Sequence, residues 1–382
     1  MKIRNRASST ATIVSMRRGV GLLGLSAIAL AACSLFTDLG GFQGGEDEAP
    51  VPPVEAGTTT DAPLANETGT DVAIAPAFKP RFKRTVVITN VAATTLSAGH
   101  TVCMVVSSVL GNVNVRPDLG DVRFFGPNGS ERDRAIDRVS SSTMEVCFRL
   151  ERPIASNGND AYEVRYGDPA ATPPTNDPSL LFAFYDGFDG TAIAPKWSVQ
   201  GTVNVAGGVL VLPKGAETVV RTLAANDGVP AVASLELRVR VQDPSSASFG
   251  TSGYFYWFGF QRKDDFFATS PWTLFIARDP NIIAAEQQIE SFEPDAGTCA
   301  EVCSMGFGAQ TADFRIYRID RNGGTTTFRL EGEQYTANAD NGDLGIVLRS
   351  SLVTSDVEVD WVRARPLVLP EPTVVFGSET PL

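Results

Sequence analysis

The segment Ser234-Leu235-Glu236-Leu237-Arg238-Val239-Arg240-Val241-Gln242 alternates apolar and polar residues almost without a break. A strand turns successive side chains to opposite faces, so Leu and Val line one face and Glu, Arg and Gln the other. This period of two governs the chain from Phe78 onward. Short alternating runs recur between clusters of Gly, Pro, Asn and Asp, and no long stretch carries apolar residues at helical spacing. Two hairpins stand out: residues 202–205 with 209–212 across Ala206-Gly207-Gly208, and 314–320 with 325–330 across Arg321-Asn322-Gly323-Gly324. Glycine supplies the positive φ such turns need. The expected fold class is therefore all-β. Roughly 290 patterned residues are too many for one simple sandwich and suit two β-sandwich domains.

The N-terminal part obeys different rules. Lys2, Arg4, Arg6, Arg17 and Arg18 precede an apolar, small-residue stretch at 19–32, and no acid occurs before Asp38. That stretch is shorter than the roughly 20 residues of a membrane span but suits a signal peptide. It ends in Leu30-Ala31-Ala32-Cys33, which resembles a bacterial lipobox. The resemblance implies a signal peptide at 1–32 and lipidation of Cys33, with Ser34 behind it favouring the outer membrane. The expected partner there is the bilayer, because a diacyl anchor supplies the two chains stable attachment needs. A poor transmembrane helix and an ordinary cleaved signal with a chance Cys are the alternatives. Residues 34–77 hold eight acids, no Lys or Arg, and many Gly, Pro, Ala and Thr. Such a composition buries too little apolar surface to fold, so 33–77 is expected to be a disordered acidic tether. Losing the leader's five cations takes the net charge from −12 to −17. A surface so acidic, with no basic stripe, argues against a nucleic-acid partner.

Residues 78–175 carry a family resemblance. Phe82-Lys83-Arg84-Thr85-Val86-Val87-Ile88-Thr89-Asn90 is similar to the opening strand of the bacterial family called domain of unknown function 2341. Asp121-Val122-Arg123-Phe124-Phe125, Met144-Glu145-Val146-Cys147-Phe148-Arg149-Leu150 and Tyr162-Glu163-Val164-Arg165-Tyr166-Gly167-Asp168-Pro169 follow in that family's order. Arg165 and Asp168 depart from its usual Tyr-Tyr-Gly-Asn-Pro. Trp361-Val362-Arg363-Ala364-Arg365, Pro370-Glu371-Pro372-Thr373 and Gly377-Ser378-Glu379 resemble the close of such proteins. The family implies a secreted or surface β-sandwich beside a lectin-like domain, and no catalytic residues. Residues 180–368 open with Phe184-Tyr185-Asp186-Gly187-Phe188-Asp189-Gly190 and Trp197, and end on a strand holding Asp360-Trp361. This frame resembles concanavalin A-like jelly rolls of the laminin-G type. Residues 369–382 are read as a C-terminal tail.

The chemistry is sparse. The single His, His100, lies in Leu96-Ser97-Ala98-Gly99-His100 and is expected at an exposed loop or strand edge, outside any triad or metal cluster. Glu358 and Asp360 have strand spacing that would put two acids on one face, as glycoside hydrolysis requires, but Trp361-Val362-Arg363 follows where jelly-roll glucanases extend the motif with a further Glu. A structural calcium ion is the one cofactor suggested, because the first and last jelly-roll strands would bring Asp186 or Asp189 near Asp360 as hard oxygen ligands. Tyr254, Tyr256, Trp257 and Phe258 form the densest aromatic run, and with Trp272 they are candidate glycan-stacking residues or core. In an exported chain, Cys103 and Cys147 would staple two strands, and Cys299 with Cys303 would close a small loop. The reading is a non-enzymatic surface lipoprotein that binds extracellular or envelope glycan through its second unit. A jelly-roll glycoside hydrolase, or a structural or adhesive envelope protein that binds another protein, are the alternatives.

Overall fold

The computed structural model describes residues 77–106, 114–138, 143–223, 229–244, 256–262, 272–279, 282–288, 305–307, 311–338, 344–351 and 353–382. The expected leader, tether and Cys33 lie outside these residues, as do Tyr254, Cys299 and Cys303. Among the described residues every regular element is a strand except one 3-10 turn, Pro178–Leu180.

The first sandwich pairs two antiparallel sheets. One runs Thr373–Phe376, Phe82–Thr89, Asn159–Tyr166, Arg123–Phe125, Glu131–Arg132, and Thr380–Pro381 also pairs with the opening strand. The other runs Thr101–Val105, Met144–Arg149, Arg134–Arg138. Alternation fills the space between them: Tyr162, Val164 and Tyr166 from one strand meet Val86, Ile88, Phe124, Val146 and Phe148. Phe124 stacks on Phe148 with ring centroids 4.9 Å apart. Residues 369–382 are thus no tail. Val86 to Thr89 pair with Phe376 to Thr373, and Tyr166 donates a 2.5 Å hydrogen bond to Glu379. The expected 78–175 unit is completed by the far end of the chain, and the jelly roll is an insertion within it.

The jelly roll has an eight-stranded sheet in the order Asn204–Ala206, Val209–Leu212, Val357–Pro366, Ala233–Val241, Arg315–Asn322, Thr325–Leu330, Glu333–Asn338, with Phe184–Asp186 pairing along Val357–Pro366. Its seven-stranded partner runs Met305–Gly306, Ile282–Gln288, Trp272–Asp279, Tyr256–Arg262, Leu344–Ser351, Glu217–Thr222, Trp197–Gln200. Both hairpins form, tighter than expected: Ala206 pairs with Val209 and Asn322 with Thr325, with Gly207, Gly208 and Gly323 at positive φ. Between the sheets lie Leu235, Leu237, Val239, Phe258, Phe260, Phe275, Tyr317, Ile319 and Phe328. Full burial of each such side chain contributes about 1.5–3 kcal/mol. In the middle of the second sheet Gly259 has φ +148°, and an added Cβ would lie 2.3 Å from the Thr273 carbonyl oxygen. No other residue type fits there.

Two segments cross between the sandwiches. In the first, Asn176 accepts from the Ile136 amide, the Leu181 carbonyl accepts from Thr101 and Arg149, and the Ala183 amide donates to Ala364. In the second, Glu371 binds Arg318 and Arg365. Ala135, Cys147, Leu181 and Phe182 pack together at the joint, with Cys103 and Tyr185 against them. Cys103 and Cys147 are opposed in register, their Cα atoms 4.0 Å apart, and form the expected disulfide.

Candidate functional site

The two sheets of the jelly roll turn different outer faces away from their shared core. On the eight-stranded sheet the outward residues are Glu236, Arg238 and Arg240, opposed in register by Arg363, Trp361 and Glu358. Every one of these charges is engaged. Glu358 accepts from Arg240 at 2.6 Å and from Gln242; Asp360 accepts from Arg238. Arg363, 2% exposed, donates to Glu236 at 2.6 Å and also to Asp137 and Glu145 of the first sandwich. Its guanidinium lies over the rings of Phe182 and Trp361, 4.8 and 4.4 Å from their centroids. The two acids that the spacing of Glu358 and Asp360 suggested for hydrolysis are therefore each tied to an arginine of the neighbouring strand.

The seven-stranded sheet presents a different outer face. Alternation against the core residues Phe258 and Phe260 puts Trp257 and Gln261 outward, with Gly259 between them. Register then aligns Gln200, Val219, Arg349, Trp257 and Ile276 across the sheet, and beside them Ser198, Arg221, Val347, Gly259 and Leu274. Val219, Trp257, Leu274, Ile276 and Val347 form one apolar floor. Arg349 lies 4.1 Å from the Trp257 ring centroid and pairs with the exposed Glu217. Ser198, Gln200, Glu217, Arg221 and Arg349 make a polar rim of partly or fully exposed residues. Gln261, opposite Gly345 and Trp272, is 3% exposed, and its Nε2 has no hydrogen-bond partner among the described residues. An amide left so costs about 1–3 kcal/mol.

The aromatic run does not form an open stacking surface. Tyr256 and Phe258 belong to the core, where Phe258 meets Tyr317 edge-on at 4.6 Å. Burial pushes the Tyr256 hydroxyl well above its usual range. Trp257 alone faces outward, and it is 5% exposed. Trp272 opens its strand opposite Gln261 and Gln288; its side chain lies outside what is described.

The expected calcium ligands are not brought together. Asp186 opposes the core residue Val362, so it sits on the inner side of the sheet. There it accepts from the Phe188 amide at 2.9 Å and Trp197 Nε1 at 2.6 Å, and Lys196 lies 3.4 Å away. Asp360 stands at a bulge in the register between Arg238 and Val239, bound to Arg238 on the outer side. Asp189 is exposed in the turn beyond Asp186. A carboxylate saturated by amide, indole and ammonium donors is an anchor for the turn, and this trio does not fit a calcium ion. His100 is also placed differently from expectation. It is 4% exposed and lies near Arg365 and Glu371, and burial, with Arg365 adding to it, lowers its pKa to about 4. Nothing in its local sequence signals this, because the neighbours that bury it come from the far end of the chain.

No family model matches the chain, so the resemblance to domain of unknown function 2341 has none behind it, and no curated protein matches. Solved structures match the jelly roll. They include the Ca2+-bound exoplasmic/lumenal domain of VIP36, 13% identical over 50% of this chain and 95% of that one, with a TM-score of 0.33. They also include the laminarinase from Rhodothermus marinus, 14% identical over 48% and 96%, TM-score 0.33. A third is the potassium-bound carbohydrate recognition domain of Emp46p, 11% identical over 46% and 90%, TM-score 0.34. Likeness at this level is one of fold alone. It nevertheless corrects the expectation of a non-enzymatic protein, because named laminarinases and a lichenase share the frame with a carbohydrate recognition domain. One fold hosts both activities and selects neither.

Proposed function

We propose that this chain is a lipid-anchored envelope protein whose jelly roll engages extracellular glycan, by binding or by cleavage, on the outer face of its seven-stranded sheet. The observation that carries the reading is the polar rim of Ser198, Gln200, Glu217, Arg221 and Arg349 around a floor holding Trp257. Sugars are recognised in part by hydroxyl-bonding groups, and the rim of this face supplies them. On the opposite sheet the outward charges are paired with one another, and Trp361 lies under the Arg363 guanidinium. Cys33 would hold the folded part at the outer membrane through the acidic tether.

Affinity electrophoresis in gels containing soluble β-1,3- and β-1,3-1,4-glucans tests the reading. Retardation of the mature chain that is lost in Arg349→Ala and Gln261→Leu supports it. Equal mobility of all three in every glycan tried would overturn it. Release of reducing ends from the same glucans separates cleavage from binding. Lipidation is tested separately by incorporation of a labelled fatty acid, which Cys33→Ser should eliminate.

A further inference from the structure

The joint between the sandwiches gathers more acid than base around one buried cation. Asp137, from Arg134–Arg138, and Glu145, from Met144–Arg149, reach across from the first sandwich, and Glu236 comes from Ala233–Val241. All three bind the guanidinium of Arg363. With all three ionised, three negative charges would share one positive charge in a largely buried site. The neighbouring cations among the described residues are each engaged by other acids. Arg318 lies 3.8 Å from Glu236 and is itself held by Asp320 and Glu371. Arg238 is taken by Asp360, and Arg365 by Glu371. The remaining facing group is the Tyr185 hydroxyl, and it is neutral: burial pushes its pKa far up.

We infer that this joint is a proton-responsive clamp, in which Asp137 and Glu145 take up a proton from solvent as the medium becomes mildly acidic and the two sandwiches then dock more firmly. The proton adds to one carboxylate oxygen, turns that acid into a donor toward its neighbour, and removes one of the two excess negative charges. Glu236 is not the acceptor, because Arg363, Arg318 and Arg365 outweigh its burial and hold it low. Burial raises both Asp137 and Glu145, with Arg363 only partly offsetting it. A folded-state value above the unfolded one adds stability below the unfolded value, and that stability is lost as pH rises through the folded value. The clamp therefore weakens toward alkaline pH. It stands on contacts remote from the glycan face and is independent of that reading.

The test compares urea unfolding of the mature chain with Asp137→Asn and Glu145→Gln across the range from about pH 8 to about pH 4.5. Each variant lacks one titrating group, so its stability relative to the natural chain should fall as the pH falls, by up to about tenfold in folding constant per pH unit within the window. A relative stability that is constant or rises on acidification overturns the inference. Carboxyl carbon NMR titration of the unmodified protein gives a second readout that needs no variant. Midpoints for Asp137 and Glu145 above the ordinary 3.8 and 4.5 support the clamp, and midpoints at or below those values overturn it.

Discussion

The two outer faces of the jelly roll are built from the same alternating strands and yet have opposite fates. On the eight-stranded sheet each charge of the outward row Glu236, Arg238, Arg240, Glu358 and Arg363 has a partner of opposite sign, and Arg363 is buried against another sandwich. On the seven-stranded sheet the outward row surrounds Trp257 with a rim that meets solvent, and among the described residues the Gln261 Nε2 has no hydrogen-bond partner. Charge density alone would have pointed to the first face as the functional one. The comparison turns on exposure: the first face pairs its charges beside a second sandwich, whereas the Arg349–Glu217 pair of the other stands at a rim that meets solvent.

That contrast can be broken most forcefully at Arg363. Arg363→Ala leaves three buried carboxylates without their cation and should cost about 3–5 kcal/mol. Urea unfolding measures it, and a loss no larger than that of Arg349→Ala would erase the distinction between the faces. Next in size is the disulfide beneath the joint. Replacing Cys103 and Cys147 together by Ala should cost about 2–4 kcal/mol in the same assay, through a freer unfolded chain. Gly259→Ala tests the open face from within its own sheet. A Cβ at positive φ against the Thr273 carbonyl should lower stability by about 2 kcal/mol, seen as a drop in Tm.

The smallest effect concerns His100 and depends on pH. Its folded value of about 4 lies below its ordinary 6.5, so the fold keeps it neutral. Its contribution is intact above about pH 6.5 and is lost as the pH falls toward about 4. His100→Gln should flatten that part of the acid limb by about 1 kcal/mol per pH unit while changing little at neutral pH, as read from urea midpoints against pH. An unchanged acid limb would show that His100 meets water in the fold.

Much of this architecture is legible in the chain because strand alternation is a local property. The expected strand at Ser234 to Gln242 is observed as Ala233–Val241, and both hairpins fall at their glycines. The Cys103–Cys147 bridge also follows from two strands that alternate in step. What alternation does not encode is what lies beyond a polar face. Glu236 and Arg363 read as residues for solvent, and only the arrival of Asp137 and Glu145 from another sandwich makes them interior. His100 and the strand Thr373–Phe376 were misjudged for the same reason, since their partners are hundreds of residues away. Asp186 and Asp360 were grouped by adjacency of strands, and facing decided otherwise: one looks inward, the other outward.

The return of residues 373–381 to the opening strand has a mechanical consequence. Phe82–Thr89 is hydrogen-bonded along one edge to Asn159–Tyr166 and along the other to Thr373–Phe376. A pull arriving from the N-terminal side runs along this strand and loads both rows of bonds in shear, so they must yield together and not one at a time. The jelly roll leaves and rejoins the first sandwich downstream of that point. A load between that end and anything held by the jelly roll therefore passes through this strand and then through the two crossing segments.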